Sequence, residues 1–206
     1  AQQRNERFYA NFGAQWADNV ESRFGVFVTD IDQEIAGSVS LASALDDPRA
    51  AAPANIAQNW QRDLKTVRAF TTTSVDLGDG GKFTFGGSYA HKDLYHPIVV
   101  FILQGSDDYS GFARYEHAAK AAGVPISFTA GTRYRFTDLD SGVFGNFGGA
   151  QGPAFSVSRQ RSEAIEAYAE ARAEILPSFE VIAGLNYLHT SRNYDDQLND
   201  AEDARL

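Results

Sequence analysis

Apolar and polar side chains alternate along most of this chain, most clearly over residues 163–189. Ile165, Ala167, Ala169, Ala171, Ala173 and Ile175 fall on one parity, and Glu166, Tyr168, Glu170, Arg172 and Glu174 on the other. Ala and Glu are strong helix formers, but a helix would scatter these charges around its circumference. A strand puts every apolar residue on one face and every polar residue on the other. Leu176-Pro177-Ser178 predicts a tight turn, followed by Phe179, Val181, Ala183, Leu185 and Tyr187 against Glu180, Gly184 and Asn186. A strand of about ten residues, a short turn and another such strand is the unit of a transmembrane β-barrel.

The same period recurs. Phe8, Ala10, Phe12, Ala14 and Trp16 predict a first strand, and Phe24, Val26 and Val28 a second. Val67 to Leu77 and Phe83 to Tyr89 flank Gly78-Asp79-Gly80-Gly81, a hairpin turn in which glycine accepts positive φ. Residues 109–116 predict a weaker strand, and Ile126, Phe128, Ala130, Thr132, Tyr134 and Phe136 a strong one. The count is about eight strands. Short turns are expected near 17–21, 78–81, 117–125 and 176–178, alternating with long polar segments at 33–65, 94–108 and 137–161. In outer-membrane barrels short turns face the periplasm and long loops face outside. Residues 41–63 predict a short helix, residues 137–153, with glycines at 142, 145, 148, 149 and 152, an irregular loop, and residues 195–203 a solvated acidic loop.

Large aromatics near the strand ends (Phe8, Trp16, Phe83, Tyr89, Phe136, Phe179 and Tyr187) suit the interfacial girdles of a barrel. A soluble β-sandwich also alternates, but the alanine-rich face at 165–175 would fill a shared core poorly. The predicted fold is therefore all-β, an antiparallel transmembrane barrel, with residues 1–206 forming part of one barrel domain.

Composition narrows the partners. The net charge of −9 works against nucleic acid, whose phosphates would be repelled. The chain has no cysteine, so disulfides and thiolate metal sites are excluded. Mean hydropathy is −0.34, and no run of eighteen apolar residues exists to form a membrane helix. The polar start and the absence of Met predict a mature chain or a piece of a longer one. Three readings favour a slice of a larger barrel. With short turns periplasmic, both termini fall outside the cell. The end, Asp203-Ala204-Arg205-Leu206, is polar where complete barrels usually finish on an aromatic. An open sheet of eight strands would leave two unpaired edges in lipid.

Residues 161–196, with the Ala-Tyr-Ala-Glu-Ala-Arg strand, the Leu-Pro-Ser turn, the Ile-Ala-Gly-Leu-Asn-Tyr strand and the Arg192-Asn193-Tyr194-Asp195-Asp196 exit, resemble the later barrel strands of TonB-dependent outer-membrane receptors. So do Phe8-Tyr9-Ala10-Asn11-Phe12-Gly13-Ala14 and Asp32-Gln33-Glu34-Ile35-Ala36-Gly37-Ser38. The resemblance implies a barrel of roughly 22 strands with a plugged lumen, of which this chain would supply roughly a third. It also implies uptake of ferric siderophores or similar scarce nutrients across a Gram-negative outer membrane. The implied partners are membrane lipid, the remaining strands and plug, an energy-coupling inner-membrane complex and a small-molecule or metal-chelate cargo. No cofactor is implied.

His91, Tyr95 and His96 sit at a predicted extracellular strand end and are candidate cargo contacts. His91 and His96 differ in parity and no third ligand is evident, so no metal site is assigned. Arg114, Arg133, Arg135, Glu166, Glu170, Arg172 and Glu174 project to the predicted lumen face. They could contact a plug or steer anionic cargo; their mixed signs favour plain solvation and pairing. Nucleophile-elbow and phosphate-loop patterns are absent, so the expected function is transport rather than catalysis. A plug-less porin-like or adhesion barrel is the second reading, and an outer-membrane enzyme with a rim serine the third, for which Ser88 and His91 are too loosely constrained to claim.

Overall fold

In the computed structural model, which describes residues 2–199 and 204–205, the chain forms one antiparallel sheet. Its strands are β1 (Gln3–Ala17), β2 (Val20–Glu34), β3 (Gln61–Gly78), β4 (Gly81–Pro97), β5 (Val100–Ala121), β6 (Val124–Phe147), β7 (Ala150–Leu176), β8 (Phe179–Asp196) and the two-residue β9 (Ala204–Arg205). They lie in chain order, each hydrogen-bonded to the next. Two short helices, α1 (Leu41–Asp46) and α2 (Pro53–Ala57), lie between β2 and β3, where a helix was expected.

The register carries the alternation across the sheet. Ala10, Val26, Ala69, Tyr89, Tyr109 and Phe136 stand opposite one another in a single row. The Tyr89 and Tyr109 rings lie 5.1 Å apart and those of Tyr109 and Phe136 6.2 Å apart, a chain of rings at one level of the wall. The apolar face has no protein covering it. Among the described residues the buried apolar side chains are Phe101 and Pro97, while Phe12, Trp16 and Leu185 are 63, 65 and 70% exposed. A sheet that leaves such a contiguous apolar face open has its core partner outside the chain, and hydrocarbon is the solvent that fits it.

The four short turns fall where the sequence put them, though the one expected over 117–125 tightens to residues 122–123. Asp79-Gly80 and Ala122-Gly123 both hold positive φ (49° and 80°, 51° and 83°). That handedness matches the twist of the flanking strands. Gly80 is fixed doubly, because its carbonyl accepts the Ala118 N–H at 3.0 Å and a Cβ on it would overlap the Ala118 carbonyl oxygen.

Two of the three expected long loops are strands instead. Residues 94–97 extend β4 and 100–108 begin β5; residues 137–147 extend β6 and 150–161 begin β7. The glycine-rich stretch 142–152 likewise continues the two strands through two register irregularities. The weak strand expected at 109–116 is the middle of β5. The period was hidden there because the two faces lose their contrast beyond the apolar band, both being apolar over 100–103 and both polar over 106–108. The ladder persists through cross-strand charge pairs such as Arg159–Asp138 at 2.6 Å. Strands therefore reach 24 and 27 residues in β6 and β7, against the ~10 that cross a bilayer. The band sits close to the short turns, and the other end of the wall stands clear of it. Of the acidic run 195–203, residues 195–196 end β8; 200–203 lie outside the described residues.

The remaining connection, residues 35–60, is pinned at its base by Ile35 N–H to the Trp60 carbonyl (2.9 Å) and by Asn55, whose amide donates to the Ile35 carbonyl (3.1 Å). Its tip crosses to the β6–β7 hairpin. There the Asn146 side-chain amide donates to the carbonyls of Gln58 (3.0 Å) and Ile98 (2.6 Å) and its oxygen accepts Gly149 N–H (2.8 Å). One side chain thus ties three tips together.

Two outcomes test this reading. Gly80→Ala should cost about 1 kcal/mol or more by placing a Cβ at positive φ, read as a lower denaturant midpoint of the full-length protein in detergent. Asn146→Ala should leave stability of the apolar band unchanged but raise amide hydrogen exchange around residues 52–60, 98–99 and 146–149, since each lost bond to a part-buried carbonyl is worth about 1 kcal/mol.

Candidate functional site

The face opposite the apolar band is the candidate site. Parity and register assign it the even residues of β3, β4, β5, β7 and β8 and the odd residues of β1, β2 and β6. All of the expected lumen charges (Arg114, Arg133, Arg135, Glu166, Glu170, Arg172 and Glu174) fall on it.

These charges divide by height. Near the short turns, cations lie beside carboxylates two residues away on the same strand: Arg23–Glu21 at 2.7 Å, Arg114–Glu116 at 3.1 Å and Arg172–Glu170 at 2.6 Å. Glu166 stands opposite Arg133 in register but accepts from the Asn186 amide at 3.4 Å. Toward the far end the same face carries Arg7, Arg62, Arg68, Lys92, Arg133, Arg135 and Arg192, with Glu166, Asp108 and Asp196 as carboxylates among them. Among the described residues none of these seven cations makes an ion pair. Asp108 is engaged by the Thr137 hydroxyl. The signs are evenly mixed in the lower half, whereas in the upper half cations outnumber carboxylates. The sequence places Arg68 on the polar face of its strand without counting it among the lumen charges, and the reading missed Arg7, Arg62, Lys92 and Arg192; extending each strand's parity past its apolar run would have found these four.

Across the wall the sign reverses. Beyond the apolar band the outward face carries Glu6, Asp30, Asp32, Asp63, Asp93, Asp107, Asp138, Asp140 and Glu163. Its cations are paired: Arg4–Asp32 at 2.7 Å, Lys65–Asp30 at 3.9 Å, Arg159–Asp138 at 2.6 Å and Arg161–Asp138 at 3.4 Å.

The candidate contacts His91, Tyr95 and His96 do not converge. His91 and Tyr95 share the outward face, whereas His96 is on the inner one, its Nδ1 2.8 Å from the Gln61 carbonyl. His91, beyond the apolar band, lies with Nδ1 2.9 Å from Asp107 and Nε2 3.1 Å from Asp93. The Asp107 hydrogen bond favours its protonated form and raises its pKa above the ordinary value, with Asp93 adding to the effect against desolvation. Tyr95 packs edge-on against Phe101 with ring centres 5.0 Å apart. Ser88 bonds Ser110 on the inner face (2.8 Å), so it and His91 point to opposite sides and form no catalytic pair. Among the described residues no three metal-binding side chains are grouped to hold an ion.

No protein-family model and no curated protein matches the chain in sequence. Solved structures do match. The ferric citrate transporter FecA in its unliganded form aligns over 99% of this chain and 32% of its own, with a TM-score of 0.83 at 12% identity. The alcaligin outer-membrane receptor FauA from Bordetella pertussis aligns over 99% of this chain and 31% of its own, with a TM-score of 0.69 at 12% identity. BauA, the ferric preacinetobactin receptor from Acinetobacter baumannii, aligns over 98% and 36%, with a TM-score of 0.71 at 10% identity. The chain spans about a third of the length of each. The resemblance read from the sequence thus holds in three dimensions: this chain has the fold of a section of the barrel wall of TonB-dependent outer-membrane receptors.

Proposed function

We propose that this chain is part of the wall of an energy-coupled outer-membrane receptor, and that its inner face draws an anionic metal chelate, such as a ferric siderophore, into the lumen. The observation that carries this reading is the group of seven cations on the upper inner face, which outnumber the carboxylates there and make no ion pair among the described residues. Lining side chains need only be solvated or paired. A surface meant for solvation alone has no need to gather one sign, and the lower half, where the signs mix, shows how readily this chain makes pairs. A concave wall of one sign concentrates ions of the other and raises their encounter rate by roughly 10–10³-fold, an effect that salt screens over about 8 Å at physiological ionic strength. The structural neighbours named as ferric chelate receptors support the same direction.

In this reading the short turns face the periplasm. The wall stands clear of lipid on the outside, and the segment 35–60 and the two tall hairpins surround the mouth. His91, Tyr95 and His96 lie near the rim. A plug and further strands complete the barrel, and an inner-membrane complex supplies the energy. The edges support the need for further strands. On its outer side β1 has no partner among the described residues, and β8 is covered there only by the two residues of β9. Unpaired backbone groups in hydrocarbon cost several kcal/mol each.

With ferric citrate as an anionic probe and the full-length protein in detergent, the Arg133→Gln/Arg135→Gln double variant should bind about tenfold more weakly at low salt. The deficit should shrink as salt rises. Unchanged affinity, or an equal loss for an uncharged chelate, would remove the electrostatic reading. Separately, the 206 residues refolded alone should give no protease-resistant, heat-modifiable monomer on gels. Recovery of such a monomer would show that the chain closes on itself.

A further inference from the structure

A second concavity lies on the opposite, outward face, beyond the apolar band. Gly105 and Gly142 occupy neighbouring outward positions of β5 and β6; the position over Gly105 is open while the Phe144 ring lies over Gly142, and together they line a groove of about 640 Å³. Its walls are apolar: Tyr95, Leu103, Phe144 and Val157. Its rim is charged: Asp63, Asp93 and Asp140, with Lys65 and Arg159. Both cations are already engaged, Lys65 by Asp30 at 3.9 Å and Arg159 by Asp138 at 2.6 Å, with Asp140 a further 3.9 Å contact of the latter.

The rim is short of positive charge. Asp63 makes no ion pair among the described residues and accepts only a long hydrogen bond from the Gln33 N–H (3.4 Å). It sits at the start of β3, clear of the apolar band. Burial raises its carboxyl pKa above the ordinary range against that hydrogen bond, and Asp32 and Asp30 push the same way. Asp93 shares its proton donor, His91, with Asp107. The surrounding outward face adds further carboxylates.

We infer that this groove is a docking site for a basic amphipathic peptide segment. One apolar side chain would seat between Tyr95, Leu103 and Val157, and flanking lysines or arginines would meet Asp63, Asp93 and Asp140. The negative charge of the rim selects this occupant. A phosphorylated glycolipid of the surrounding leaflet presents the same sign as the rim and would need added cations to approach. The inference does not depend on what passes through the lumen.

The test uses the full-length protein in phosphatidylcholine nanodiscs and a fluorescent amidated peptide alternating lysine with leucine, followed by anisotropy. Asp63→Asn/Asp93→Asn/Asp140→Asn should weaken binding about tenfold, a loss of about 1.4 kcal/mol, within the range of a few exposed ion pairs. Gly105→Leu should weaken it as much without changing any charge. A Cβ at Gly105 meets only the Asp93 carboxylate, at 3.6 Å, so the new side chain enters the groove with the backbone undisturbed. Binding that survives Gly105→Leu but falls in the asparagine variant would show a diffuse acidic surface and overturn the site. Failure of the wild type to bind would overturn it too. So would displacement of the peptide by lipid A with magnesium through Gly105→Leu-sensitive binding, which would make the groove a glycolipid seat.

Discussion

Hydrocarbon offers no hydrogen-bond partner to a peptide group, so a chain that crosses it in strands has to satisfy every N–H and C=O from neighbouring strands. Most of what this molecule shows follows from that constraint. The strands run antiparallel in chain order because a two-residue turn is the shortest way to give each strand the next as a partner. The turns take positive φ where the twist of the hairpin demands it. The side chains, relieved of any need to build an internal core, divide cleanly between a face for lipid and a face for water. Only Phe101 and Pro97 are buried apolar groups among the described residues, which would leave a soluble domain of this size unfolded.

Freed from core packing, the polar positions carry charge in a pattern. Beyond the lipid the two faces of the same sheet have opposite character, with cations left unpaired inside and carboxylates in excess outside. A strand places consecutive side chains on opposite faces, so this segregation is written in sequence as neighbours of contrasting charge: Arg62-Asp63 and Lys92-Asp93 both split across the wall. Desolvation is mild at these heights, and each pair contributes little to stability. The pattern is better read as a field than as a set of bonds.

Legibility in the sequence depended on how much contrast the two faces offer. Where one face meets lipid, as in Ile165–Ile175 opposed to Glu166–Glu174, the period of two overcame strong helix propensity and gave face, turn and hairpin. Where both faces meet water, as at 94–108 and 137–161, hydrophobic contrast vanishes and strand looks like loop, although the backbone pairing continues. The lumen charges closest to the apolar runs, Arg133 and Arg135, were readable for the same reason. Arg62, Lys92 and Arg192 lie where the pattern had faded. The pairing of His91 with Asp107 depends on the β4–β5 register, which no local pattern reports. The groove beside Gly105 arises from a side chain that is missing, and an absence on one strand means nothing until its neighbour is placed beside it.

The Asn146 amide has a mechanical meaning as well. Hairpins that stand this far beyond the membrane as regular ladder are stiff beams, and a single side chain joins the tips of two of them to the strap formed by residues 35–60. A load applied at any one tip is shared by the other two through that joint. The mouth on this side of the wall can therefore yield as one truss, by bending at its feet near the membrane surface, more easily than by the separate flexing of three independent loops.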